Sequence, residues 1–229
     1  YALPQNVHIA TSALRKMPAG ERYPGFFDKV AAGVHEVDAC VGHFVSYLKR
    51  AHLYDDSVII LTSDHGDSLG EEGRWGHAFY LYPEVMRVPL IVHLPSWLKT
   101  RVTTDVDVVA FSTDIAPTLY ALLGYTPRDL GSLFGRPLFV DHDSELTSRR
   151  RDSFLVASSY GAVYGMLRDN GKLMYVVDTV DGREYAFDLS SVPGGRIDVT
   201  QTMTNENRRM IQEGLTTLAA LYHYQPERP

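Results

Sequence analysis

The sequence has 229 residues, of which 45% are hydrophobic and 22% charged, and its formal net charge is −6. This composition is typical of a globular protein with a buried core, and the acidic balance argues against a broad nucleic-acid-binding surface, which needs a basic footprint. The single cysteine, Cys40, excludes an intramolecular disulfide, and no stretch approaches the roughly 18 apolar residues of a membrane-spanning helix.

The first part of the chain alternates predicted strands and helices. A short strand in QNVHIATSA precedes a long helix from Phe26 to Leu53, whose apolar residues recur at spacings of three and four. SVIILTS and VPLIVHLP are β-branched and apolar runs, typical of strands buried on both faces of a parallel sheet. A helix from Ile115 to Leu123 follows and ends before a glycine. This order predicts an α/β fold, a layered α/β/α arrangement with a mostly parallel sheet, over residues 1–140.

The pattern changes after about residue 140 to short strands separated by turn signals. SFLVASS, AVYGMLRDN, GKLMYVVD and REYAFDLSS are predicted strands, with the turn DGR between the last two. Such spacing favours an antiparallel meander, and a final amphipathic helix is predicted from Asn205 to Tyr222. We therefore predict a second subdomain, residues 141–229, made of a small C-terminal antiparallel sheet with a terminal helix.

The stretch TSDHGDSLGEEGRWGH follows the SVIILTS strand and carries several acids and two histidines. In open parallel sheets, ligands bind at the carboxyl ends of the strands, which is where Asp64 and His65 lie. A carboxylate oxygen and an imidazole nitrogen from neighbouring residues can both reach one divalent ion, and such mixed ligation suits Zn, Mn or Fe better than Ca or Mg. The alternative is a helix N-cap aspartate beside a surface histidine.

Three pieces of the sequence, SDHG, LGEEGRWGH and RVPLIV, together resemble the sulfatase branch of the alkaline phosphatase superfamily. The helix and strand before SDHG, the segment STDIAPTLYALLGY and the C-terminal strands are also similar to that family, so the resemblance covers nearly the whole chain. It implies hydrolysis of sulfate or phosphate esters, with Asp64 and His65 as ligands of one divalent metal ion (Zn, Mn or Ca). His77 matches a position that contacts the anionic group or the leaving oxygen, where an imidazole can donate a proton. His8, in NVHIA, is a second catalytic candidate, with a structural strand-end histidine as the alternative.

The family's nucleophile is expected outside this chain. By resemblance it is a formylglycine made from cysteine within C-x-P-x-R or S-x-P-x-R, or a serine or threonine, and neither motif occurs here. Cys40 lies in a helical pattern and does not match. We therefore expect a C-terminal fragment of a metal-dependent sulfuric ester hydrolase, with the missing N-terminal half as its partner. The isolated chain is expected to bind metal weakly and to have no turnover.

Other functions stay open on the sequence. The same superfamily contains phosphoric ester hydrolases and phosphoethanolamine- or glycerol-phosphate-type transferases, and a non-catalytic binding or structural module could retain the fold. The WGH and RVPLIV pattern favours the hydrolase, whereas membrane helices upstream would favour the transferase or a membrane-anchored sulfatase. By resemblance, a periplasmic or membrane-associated location is the mild preference.

Overall fold

A computed structural model describes residues 25–77, 81–126, 135–141, 153–157, 162–179, 181–191 and 195–221. The predicted N-terminal strand and His8 lie outside these ranges. None of the helices among the described residues has the length and apolarity that crossing a membrane requires.

The chain divides into two compact units. One unit consists of residues 18–77 and 84–103, and the other of residues 1–17, 78–83 and 104–229. The subdomain boundary predicted at residue 140 stays a prediction, since residues 142–152 lie outside the described ranges.

A long helix and short strands occupy the part of the chain between residues 25 and 103. The helix ends three residues before the predicted end at Leu53, with Lys49 and Arg50 in its last turn, where cationic side chains suit the helix dipole. The elements are α1 (Phe26–Arg50), β1 (Ile59–Thr62), β2 (Ser68–Leu69), β3 (Trp75–Gly76), α2 (Pro83–Met86), β4 (Leu90–His93) and α3 (Ser96–Lys99).

Strands β1 and β4 pair antiparallel, with Ile60 opposite Val92. The predicted parallel arrangement of these two strands is therefore wrong. A parallel pair needs a crossover that returns the chain to its starting end, but the described residues between the strands form only α2, β2, β3 and a 3₁₀ turn. The two strands are also less buried than predicted, and Ile91 is 60% exposed. All pairings among the described strands are antiparallel, so they do not form the predicted mostly parallel sheet.

The apolar stripe of α1 is only partly covered. Leu48 is buried, whereas Val34, Val37 and Phe44 are 63%, 61% and 53% exposed. An amphipathic helix ordinarily turns such a stripe towards a core. The buried position of α1, Leu48, lies near the C-terminal end of the helix.

The C-terminal part forms the predicted antiparallel meander, with a fifth strand, β9, that the sequence pattern did not indicate. Its strand order is the chain order, β5 to β9. The elements after residue 103 are α4 (Ile115–Leu122), β5 (Ser153–Ala157), β6 (Val163–Arg168), β7 (Leu173–Asp178), β8 (Arg183–Asp188), β9 (Gly195–Ile197) and α5 (Gln201–Leu221).

Helix α5 packs against one face of this sheet. Tyr175 at the centre of β7 is fully buried and clusters with Met166, Ala186 and Ile211. Burial of such apolar surface is the main stabilising contribution to a fold. The helix begins at Gln201, four residues earlier than predicted. The hydroxyl of Thr200 accepts a hydrogen bond from the backbone N–H of Met203 at 3.2 Å, as an N-cap residue does.

Candidate functional site

Asp64 and His65 lie directly after β1, as predicted. The backbone N–H of His65 donates to Asp64 Oδ1 at 3.0 Å, and Asp64 Oδ2 lies 3.6 Å from His65 Nε2. The adjacent His65 side chain lowers the pKa of Asp64, and this backbone hydrogen bond lowers it further. The carboxylate is therefore held in its ionised form, which is the form that ligates metals. Its side chain is 86% exposed.

The backbone at Gly66 fixes the direction in which the loop leaves this pair. Its N–H donates to the carbonyl of Val85 at 2.8 Å. A Cβ at this position would lie 2.1 Å from the carbonyl oxygen of Glu84, far inside van der Waals contact. Only glycine allows this close approach of two backbones.

A short hairpin then brings His77, at the end of the stretch TSDHGDSLGEEGRWGH, back to His65 near its beginning. Strands β2 and β3 pair antiparallel, with Ser68 opposite Gly76. The buried hydroxyl of Ser68 donates to Glu84 Oε1 at 2.8 Å, and Arg74 Nη2 donates to the same oxygen at 2.8 Å. Arg74 also pairs with Glu72 at 2.6 Å, and its side chain is only 11% exposed. These charged residues hold the hairpin in place.

The hairpin places His77 against His65. The two imidazole rings stack with centroids 3.7 Å apart and planes 24° apart. His77 Nδ1 lies 2.6 Å from Asp67 Oδ1. The structure thus brings together three of the four residues that the sequence predicted for the site, Asp64, His65 and His77, while His8 lies outside the described residues.

Asp67 is the residue that the sequence analysis missed. Its carboxylate is one of three ligand atoms, with nitrogens of His65 and His77, that all lie within 4.8 Å of one another. The available signal was the position of this acid in the same polar stretch, two residues after His65. The partner His77, ten residues further on, comes close only through the hairpin.

The donor set is compatible with a divalent metal ion. Two imidazole nitrogens with carboxylate oxygens suit Zn and related transition metals, whereas Ca and Mg prefer oxygen ligands. His65 Nδ1 lies 3.0 Å from the carbonyl of Gly66. Such a hydrogen bond on one ring nitrogen commonly orients the other towards a metal.

Comparisons with known proteins agree with the resemblance. The family model Sulfatase matches residues 5–125. The N-acetylglucosamine-6-O-sulfatase of Bacteroides thetaiotaomicron is 26% identical over 179 residues, which cover 75% of this chain and 31% of that protein. The choline-sulfatase of Rhizobium meliloti is 27% identical over 187 residues, which cover 81% of this chain and 34% of that protein.

The solved structure of a 2-O GAG sulfatase is similar in fold. It superposes with a TM-score of 0.61 at 17% identity, covering 82% of this chain and 42% of that chain. The present chain spans about a third of the length of the two curated relatives. From the family match over residues 5–125, the chain belongs to the sulfatase family of the alkaline phosphatase superfamily.

Proposed function

We propose that this chain is the C-terminal part of a metal-dependent sulfuric ester hydrolase. The observation that carries the proposal is the meeting of His65 and His77, whose rings lie 3.7 Å apart beside the carboxylates of Asp64 and Asp67. This cluster combines metal ligands with a group that can reach an ester oxygen. It lies within the segment that matches the sulfatase family.

Asp64 and His65 are the proposed ligands of the ion. When bound, a divalent ion polarises the ester and stabilises the negative charge that develops on its oxygens. Asp64 contributes an ionised, solvent-accessible carboxylate. His65 contributes Nε2. Its other ring nitrogen, Nδ1, can donate a hydrogen bond to the carbonyl of Gly66, and Nε2 is then available to the ion.

His77 is the proposed contact to the anionic group or the leaving oxygen. Its Nδ1 lies 2.6 Å from the carboxylate of Asp67, and in the tautomer with a proton on Nδ1 it donates to that oxygen. The ring is then fixed, as in other carboxylate–histidine pairs. With Nδ1–H on Asp67, the doubly protonated ring can donate a hydrogen bond or a proton from Nε2 to a departing oxygen. His8 remains a second proposed contact.

The nucleophile is proposed to lie in polypeptide outside this chain. The relatives are about three times as long as this chain, which covers 31% and 34% of them. A formylglycine, serine or threonine in that further polypeptide would complete the site. The location of the whole protein, periplasmic or membrane-associated, belongs to the same proposal.

The test is an assay of the protein encoded by the full coding sequence. We expect it to hydrolyse 4-nitrophenyl sulfate faster than 4-nitrophenyl phosphate, and the 229-residue chain by itself to show no turnover. Asp64→Ala and His65→Ala should each remove most of the activity and lower the metal content measured by mass spectrometry. Asp55→Ala and His43→Ala, at exposed positions of the same unit, are the matched controls.

Three results would contradict parts of this proposal. Activity and metal content that survive both site changes would exclude Asp64 and His65 as ligands. A preference for the phosphate ester would favour the phosphoric ester hydrolase or the transferase. A full-length protein without turnover on either ester, and without a C/S-x-P-x-R motif or a threonine nucleophile upstream, would favour the non-catalytic module.

A further inference from the structure

We propose that the apolar face of α1 is a docking surface for a β-sheet supplied by polypeptide of the same protein that lies outside this chain. The inference deepens the proposed function and rests on it in one respect, that the whole protein has such further polypeptide. The compact unit that contains α1 also contains Asp64 and His65. The docking polypeptide would therefore join the unit that carries the proposed metal ligands.

The apolar side chains of α1 form one continuous face. At about 100° per residue, they fall within roughly 100° of the helix circumference. The set consists of Phe27, Val30, Val34, Val37, Val41, Phe44, Val45 and Leu48. His43 lies on the opposite side of the helix by the same spacing. A face of this width is the kind that a helix ordinarily turns towards a core.

Most of this face is open to solvent. Phe27, Val34, Val37 and Phe44 are each exposed over more than half of their surface, whereas Leu48 is buried. At 1.5 Å per residue, the stretch from Phe27 to Phe44 extends for about 25 Å along the helix. Single exposed apolar residues are normal on a protein surface, but a continuous apolar patch marks an interaction surface.

The strand pair of the same unit also has open apolar surface. Strands β1 and β4 are continuous apolar runs, a pattern typical of strands that are covered on both faces. They form a two-stranded sheet, and a sheet of this size is only marginally stable in water by itself. Ile91 is exposed, and β1 pairs with no second strand among the described residues. Further strands would extend this sheet and give the face of α1 a surface to pack on, as in layered α/β folds.

The length of the relatives identifies the source of these strands. The present chain covers 31% and 34% of the two curated sulfatases and 42% of the solved sulfatase chain. Most of each relative therefore lies outside the matched part. Polypeptide linked to this chain is present at the high effective concentration of an intramolecular contact. A second copy of the chain or an unrelated partner has no such advantage.

The test compares the accessibility of α1 in the 229-residue chain with that in the protein encoded by the full coding sequence. Cys40→Ser removes the native thiol of this chain, and Val37→Cys then places a thiol on the apolar face. His43→Cys, in the same Cys40→Ser background, is the matched control on the opposite side of the helix. Each protein is treated with N-ethylmaleimide, and the labelled peptide is quantified over time by mass spectrometry.

We expect the two thiols to react at similar rates in the 229-residue chain, because both positions are exposed there. In the full-length protein, Val37→Cys should react at least about tenfold more slowly, since labelling then requires local opening of the structure. His43→Cys should react at the same rate in both proteins. Far-UV circular dichroism checks the fold of each variant, and Val34→Cys replaces Val37→Cys if the latter is unfolded.

Two results would overturn the proposal. The first is an equal labelling rate of Val37→Cys in the 229-residue chain and in the full-length protein. The second is slow labelling of Val37→Cys in the 229-residue chain. The cover would then come from this chain itself or, where the rate falls as the protein concentration rises, from a second copy.

These results are separable from those of the sulfatase assay. A full-length protein that protects Val37→Cys but hydrolyses neither ester keeps the docking surface and contradicts the hydrolase. Conversely, a full-length protein that hydrolyses the sulfate ester while Val37→Cys is labelled freely keeps the hydrolase and removes the docking surface.

Discussion

Helix α1 and the C-terminal sheet are both apolar in sequence, but they differ in how far the structure buries them. In the sheet, Met174 and Tyr175 are fully buried and Val176 is 3% exposed. On α1, Val34 and Val37 remain more than 60% exposed. The sheet with α5 forms a core of its own, whereas the stripe of α1 has no comparable cover among the residues that the structure describes.

This difference in burial follows from how each element covers its apolar residues. A meander of neighbouring strands brings its apolar residues together through local connections, so it needs few distant contacts. A single helix cannot bury its own stripe and depends on a partner element. The β2–β3 hairpin follows the helix in the same unit, and its geometry is set mainly by hydrogen bonds around Glu84 and Gly66.

Truncation of a sheet residue should have the largest effect on stability. We expect Met174→Ala to lower the free energy of unfolding by about 2–5 kcal/mol, because it leaves a cavity in a close-packed region. Val37→Ala, on the exposed stripe of α1, should stay within about 0.5 kcal/mol. Urea denaturation followed by circular dichroism measures both. A large loss in Val37→Ala would show that this stripe is covered in solution and would remove the contrast.

Adding a methyl group at Gly66, in the loop after β1, should have the next largest effect on stability. We expect Gly66→Ala to destabilise the protein by about 1–3 kcal/mol, because its Cβ would overlap the backbone carbonyl of Glu84. Gly42→Ala in α1, where a Cβ meets nothing within 4 Å, should instead stabilise by roughly 0.5–1 kcal/mol. Denaturation curves of the two variants provide the comparison. Effects of the same sign would contradict the close approach at Gly66.

The buried phenol of the sheet should have the smallest effect and a distinct pH dependence. Burial, with the hydrogen bond to Glu184, raises the pKa of Tyr175 to about 12. An unfolded tyrosine ionises near pH 10, so this stabilisation is fully present below about pH 10 and is lost as the pH rises towards 12. Tyr175→Phe should lower the free energy of unfolding by about 1 kcal/mol at pH 7. Above pH 10, the variant should lose less stability with rising pH than the wild type.

Denaturation between pH 7 and 11 tests the assignment to Tyr175. Tyr125→Phe, at a position 66% exposed, is the matched control and should retain the wild-type pH profile. An unchanged slope in Tyr175→Phe would show that another group is responsible for the alkaline loss.

The elements that sequence reasoning predicted best are those set by local periodicity and local stop signals. The four predicted strands of the meander and the helix α5 are present, and α4 ends at Leu122 before Gly124, whose φ is +71°. The orientation of β1 and β4 was predicted wrongly, because an apolar run does not encode the direction of its partner. That direction depends on whether the intervening chain forms a crossover, and the described part of it forms only a hairpin and short turns.

In the candidate site, too, the sequence determined one part and the tertiary structure decided the other. The sequence by itself determined the position of Asp64 and His65 after a strand, and the resemblance carried by SDHG, WGH and RVPLIV pointed to the sulfatase family that residues 5–125 match. Only the tertiary structure placed Asp67 against His77 and stacked His77 on His65. The physical reason is that a ligand set is defined by distances of a few ångströms, and residues ten or twelve positions apart reach such distances only when the hairpin between them is folded.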